Sequence, residues 1–249
     1  MANWNDPQPR QPGFGASPSL NGEAVGSATY DLGLRRYMLS IYNYMSSGVL
    51  LSGIVALLFA QSGFAAQLMT GGNPLAWVIM LAPLGFVFAM SFGANRFSTF
   101  TLQAMFWAFA AVMGLSLSTI FLVFTKASIA MTFFATAAAF AGLSLVGYTT
   151  KKDLSGMGTF LIMGVIGLLV AMVINIFVGS TLLQLGISAI GVLIFAGLTA
   201  YDTQRLKMMY HQVAGTDFIG KAIVLGALSL YLDFINMFQF LLSFLGQRD

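Results

Sequence analysis

Seven apolar stretches, each close to the roughly 20 residues that a bilayer core demands, constrain this chain more than any other feature. They lie at about 37–60, 75–93, 98–124, 128–149, 159–178, 181–200 and 223–245. The chain is 58% hydrophobic and 8% charged, against about 25% charged in an ordinary soluble domain. The expected class is therefore an all-α membrane protein with seven transmembrane helices. The fifth and sixth stretches are separated only by Gly179-Ser180 and are read as a tight hairpin. The alternative, one long broken helix, would need about 40 apolar residues in a single crossing, too many for the bilayer.

Residues 1–34 hold four of the six prolines, several glycines and no apolar run. Such a segment buries too little to fold alone, and it lacks the early apolar core of a secretory signal. The expected division is a disordered cytoplasmic tail, 1–34, followed by a transmembrane domain, 35–249. Arg10, Arg35, Arg36, Arg96, Lys151, Lys152, Arg205, Lys207 and Lys221 fall on the side of the N-terminus, and Lys126 and Arg248 on the other. Nine against two places the N-terminus in the cytoplasm by the positive-inside rule. With seven crossings the C-terminus lies outside; an even count would bring Arg248 inside.

The last stretch carries Asp233 near its middle. If 223–245 is a helix, Gly226, Ser229, Asp233, Asn236, Gln239, Ser243 and Gly246 recur at steps of three or four, so the small and polar residues form one stripe. A carboxylate about nine residues from a helix end lies roughly 14 Å inside it, too deep to snorkel. It must face a partner or water, and an ionisable residue there is a functional candidate, with an orienting hydrogen bond as the structural alternative.

Few other polar residues reach membrane depth. Asn175 lies late in the fifth stretch, Asp202 at the cytoplasmic end of the sixth, and Arg96 at the inner end of the second. Asp202 has two readings: a charge paired at the interface with Arg205 or Lys207, or a partner of Asp233, since the two belong to consecutive helices. Asp153 and His211 read as loop residues. There is no Cys and one His, which excludes disulfides and thiolate metal sites and argues against zinc. No nucleotide-binding loop is present to drive active transport, and nothing points to nucleic acid.

Tyr201-Asp202-Thr203-Gln204, the run Ala227-Leu228-Ser229-Leu230-Tyr231-Leu232-Asp233-Phe234-Ile235-Asn236, Lys151-Lys152-Asp153-Leu154-Ser155 and Asn175-Ile176-Phe177 together resemble the transmembrane Bax inhibitor motif family in its bacterial branch. Arg36-Tyr37-Met38 and Tyr42-Asn43-Tyr44-Met45 are similar too. The ten-residue run around Asp233 is the specific element. The resemblance implies a seven-helix fold in which the C-terminal helix is central, surrounded by the other six. It also implies a pH-sensitive calcium leak of the inner membrane, with Asp202 and Asp233 as the sensor pair and Arg96, matched by position, as a latch.

Calcium takes six to eight oxygen ligands. Asp202 and Asp233, with Ser229 and Asn236 and with Asn175 as a further pore-lining candidate, would make only a weak calcium contact, which suits conduction. Calcium is then the transported ion, with no cofactor and no enzymatic activity expected. An intramembrane aspartyl protease is disfavoured because Asp233 follows Tyr231-Leu232 and not the Gly-x-Gly of that signature. A serine protease would need a base at membrane depth, and the one His reads as a loop residue. The alternative reading is a non-conducting regulator that binds a membrane protease or another membrane protein.

Overall fold

The computed structural model describes residues 20–70 and 74–248 of the chain. The helices follow in order as α1 (Leu20–Gln61), α2 (Phe64–Thr70), α3 (Pro74–Gly93), α4 (Thr99–Leu117), α5 (Ile120–Val123), α6 (Lys126–Thr149), α7 (Ser155–Val178), α8 (Thr181–Val213) and α9 (Ile219–Leu245). Seven spans among the described residues are long and apolar enough to cross a membrane, at Tyr30–Gln61, Pro74–Gly93, Thr99–Val123, Lys126–Thr149, Ser155–Val178, Thr181–Val213 and Ile219–Leu245. The third joins α4 and α5, interrupted where the Ser118 hydroxyl bonds back to the Leu115 carbonyl at 2.6 Å. The fifth and sixth form the expected hairpin: Gly179 adopts φ +65, and the Ser180 hydroxyl accepts the Leu183 N–H to start α8.

Two helices are longer than their apolar stretches. The segment 201–222, expected as a loop, is mostly helix, because no Gly or Pro interrupts it until Gly215 at φ +75. Asp202 therefore lies inside α8, with eleven residues of helix beyond it. The expected tail is likewise only partly a tail. Residues 1–19 lie outside the described residues, but α1 begins at Leu20. It is held against the α8 extension by Tyr37, whose ring lies 5.3 Å from that of Tyr210, and by Tyr30, which stacks on His211 with ring centroids 5.0 Å apart. The Tyr30 hydroxyl lies 2.7 Å from His211 Nδ1. At about 1.5 Å per residue, the 42 residues of α1 reach roughly 63 Å, well past a bilayer core of about 30 Å.

Helix α9 is the hub. Its most apolar window is 61% buried, against 28% or less for every other span. It packs on α8, α1, α6 and α4. The ring is thus tighter than the six helices expected: α7 docks on α8 and α3 on α4, with α3 only touching the edge of α9. The reason is composition. Helix α7 has the highest hydropathy of the seven and only 11% of its window buried, so nearly all of it suits lipid.

Because lipid tails are as apolar as leucine, helices here associate through close packing and hydrogen bonds. A Cβ on Gly147 of α6 would lie 2.2 Å from the Ala200 carbonyl oxygen of α8, so only glycine permits that crossing. On the other side of the hub, the Ser52 hydroxyl of α1 bonds the Ala110 carbonyl of α4 and the Tyr231 hydroxyl of α9, each at 2.6 Å. Tyr231 also sits edge-on to Phe106 and Phe109. That slot fixes the rotation of α9: two residues on, about 200° round the helix, Asp233 is turned away from it.

Candidate functional site: the polar seam between α8 and α9

The stripe on α9 does face one neighbour. Gly226 abuts Leu206 of α8, to which an added Cβ would come within 2.8 Å. One turn on, the Ser229 hydroxyl donates to Asp202 Oδ2. The next turn brings Asp233, roughly 21 Å from the start of α9 at Ile219 by helical rise. Both carboxyls are buried, with Asp202 8% and Asp233 5% exposed.

Asp233 follows Ser229 by one turn of α9, so both carboxyls stand on the α8–α9 seam, yet no hydrogen bond joins them. Asp202 is engaged by Ser229 and lies 3.9 Å from the Arg205 guanidinium. Asp233 Oδ2 is buried without a partner. A buried carboxylate oxygen with no donor is costly, and few native groups stand so.

Arg96 is not at the pair. It is exposed in the turn after α3; the guanidinium beside Asp202 belongs to Arg205, one turn along the same helix. Lys221 of α9 is what reaches that turn, donating to the Ala94 carbonyl at 3.2 Å. Among the elements around α9, α4 has no charged residue, and α6 has only Lys126 at its opposite end. Helix α1 contributes Asp31, Arg35 and Arg36 near its N-terminal end, and the buried Tyr37, whose hydroxyl has no partner.

Beyond Asp233 the seam opens into a cavity of about 220 Å³ between α7, α8 and α9, lined on its polar side by Gln184, Asn236, Gln239 and Ser243. The Gln184 amide donates to Ser243 at 3.3 Å, and Ser188 reaches the same hydroxyl at 3.0 Å. Gln239 and Ser243 also border a second opening of about 350 Å³ beside Arg248. Asn236 turns its amide to its own helix, donating to the Leu232 carbonyl at 2.8 Å. Asn175, expected to line a path, instead holds the α7–α8 hairpin: it accepts the Ser180 N–H and donates to Gln184 at 3.0 Å. Gln184 is the residue that sequence reading missed. Its place one turn after the Ser180 cap was the available signal.

Outside the spans, the Ser155 hydroxyl, and after it the Ser155 N–H, hold the Asp153 carboxyl below the usual carboxylate range. Among the described residues, no three His, Cys, Asp or Glu side chains gather as a metal cluster.

The chain is 42% identical over 218 residues to the inner membrane protein YbhL of Escherichia coli K12, covering 87% of this chain and 93% of that one. An uncharacterized protein of Caulobacter vibrioides is 47% identical over 229 residues, covering 87% and 90%. One from Rickettsia prowazekii is 43% identical over 223 residues, covering 88% and 93%. Residues 34–249 match the sequence model described as inhibitor of apoptosis-promoting Bax1. This multi-pass membrane protein belongs to the Bax inhibitor family.

Proposed function

We propose that this protein is a pH-sensitive calcium leak of the inner membrane, oriented with its N-terminus in the cytoplasm and gated by Asp202 and Asp233. The observation that carries the reading is Asp233: a carboxyl in the middle of the most buried helix, with one oxygen left unpartnered. An ionisable group at that depth is held in place by function more often than by stability. The polar seam supplies the rest of a route. On one side of the pair stands the cavity with Gln184, Asn236, Gln239 and Ser243. On the other, the Ser229–Asp202 contact and Arg205 close the inner end.

The pair works as a plug. With one of the two carboxyls protonated, the Ser229–Asp202 bond holds α8 to α9. When that proton leaves, two negative charges stand close together in a dry interior, where their repulsion is strong. The helices then part, or a cation enters. Carboxylate, amide and hydroxyl oxygens suit a hard cation such as calcium, and so few of them bind it loosely enough for release. Arg205 takes the latch role first expected of Arg96.

Purified full-length protein in liposomes that hold a calcium indicator, assayed across a pH series, tests the proposal. Flux that rises with pH is expected. Silence at every pH would transfer the assignment to the regulator of a membrane protease or another membrane protein.

A further inference from the structure

A cavity larger than either of those on the polar seam lies away from it, among the described residues. It is a groove of about 1100 Å³ between α1 and α6, with Phe234 of α9 at its floor. That exceeds the roughly 300–1,000 Å³ that encloses a drug-sized ligand. Its walls along most of their length are apolar, including Met38, Leu39 and Leu50 on α1 and Phe133, Phe140 and Leu145 on α6. Leu39, Leu50 and Leu145 are exposed there. Ser46 spends its hydroxyl on the Asn43 carbonyl of its own helix, so it adds little polarity.

Charge appears at one end only. Asp31 and Arg35 line the mouth, four residues apart on α1, about one turn or 6 Å by helical rise. Both are exposed and they form no ion pair with each other; the ion pair among the described residues is that of Arg205 with Asp202. Tyr148 closes the α6 side of the mouth, and Lys207 stands behind it, 4.8 Å from its ring centre. From Asp31 to Leu50 the α1 wall runs roughly 29 Å, enough for a headgroup followed by acyl chains reaching the middle of a core about 30 Å thick.

We propose that this groove is a binding site for one phospholipid with a primary ammonium headgroup, drawn from the leaflet at the N-terminal end of α1. Three features select that occupant. The groove runs along the bilayer side of a membrane-spanning chain, where acyl chains are the solvent. Arg35 offers a bidentate fork for phosphate oxygens. Asp31, one turn further out, is placed for a cation that a short ethylene spacer holds just beyond the phosphate. A headgroup without the ammonium would leave Asp31 facing its phosphate, so the site discriminates by repulsion as well as attraction.

The test uses full-length protein reconstituted in vesicles of equal parts phosphatidylethanolamine and phosphatidylglycerol, extracted in mild detergent, with retained lipid counted by native mass spectrometry. The wild type is expected to keep a single phosphatidylethanolamine, preferred about fivefold, the ratio that one charged contact near a membrane surface supports. Asp31→Asn, an exposed substitution that leaves the packing alone, should bring the preference near unity. Arg35→Gln should lower retention of both lipids. Ala141→Trp, which pushes an indole into the groove, should abolish retention in protein that still elutes as a monodisperse species. Wild type that retains no lipid, or retains phosphatidylglycerol equally, would overturn the proposal. So would an unchanged preference in Asp31→Asn, which does not depend on how Ala141→Trp folds.

Discussion

Ser229 of α9 donates its hydroxyl to Asp202 of α8, one turn before Asp233 on its own helix. This contact ties α8 to α9 one turn from Asp233. Hydrogen bonds to charged groups contribute about 1.5–3 kcal/mol, so Ser229→Ala is expected to destabilise the protein by about that amount. Thermal unfolding in detergent measures it. A change within error would mean that Asp202 is satisfied without Ser229.

Arg205→Ala and Arg96→Ala separate the two latch candidates. Arg205 lies 3.9 Å from Asp202, with its side chain 55% exposed. Pairs that exposed contribute roughly 0–1 kcal/mol, so its loss should shift the pH profile of calcium flux with little effect on stability. Arg96→Ala should leave the profile as it is. A profile moved by Arg96 and not by Arg205 would assign the latch to the turn after α3.

Gly147→Ala tests the crossing that brings α8 to the hub. Its Cβ would meet the Ala200 carbonyl, which cannot move without its helix. Overpacking of this kind costs about 1–3 kcal/mol. Gly142→Ala on the same helix meets nothing within 4 Å and should be neutral or stabilising by about 0.4–1 kcal/mol. Similar melting temperatures for the two variants would contradict the close approach of α6 and α8.

The pH response should not come from His211 or Asp153. Histidine is the residue type that ordinarily changes charge near neutrality, and this chain has one, pairing α8 with Tyr30 on α1. Its ring is exposed and far along α8 from Asp202, so His211→Gln should keep the flux profile. Asp153 titrates below the usual carboxylate range. Its contribution to stability is present above the unfolded pKa and is lost as pH falls through the lower folded value, which leaves the neutral range untouched. A profile flattened by His211→Gln would move the sensor to the α1–α8 contact.

The spans were legible because bilayer thickness imposes a length that apolar runs must meet. The seam was legible because the stripe from Gly226 to Ser243 has a helical period, and α9 does turn it towards α8. Other features were not, since they depend on contacts between distant segments. Residues 20–34 and 201–213 carry no apolar run, and their helices are held to each other through Tyr30, Tyr210 and His211. The two peripheral spans, α7 and α3, are also the two of highest mean hydropathy, a difference of degree that the lengths of the apolar runs alone do not show. Arg96 matched the latch by position along the chain, whereas the contact with Asp202 belongs to Arg205 three residues on. Asn175 has the polarity of a pore residue and the location of a hairpin cap.

The most direct test of the central claim is calcium efflux from liposomes across a pH series, comparing wild type with Asp233→Asn, Asp202→Asn and the double variant. Each single substitution removes the charge that the pair's titration would create. Each should therefore flatten the rise of flux with pH, and the double variant should add little, because the two residues act as one unit. Wild-type pH dependence in both single variants would contradict the account and leave the pair as a structural contact between α8 and α9.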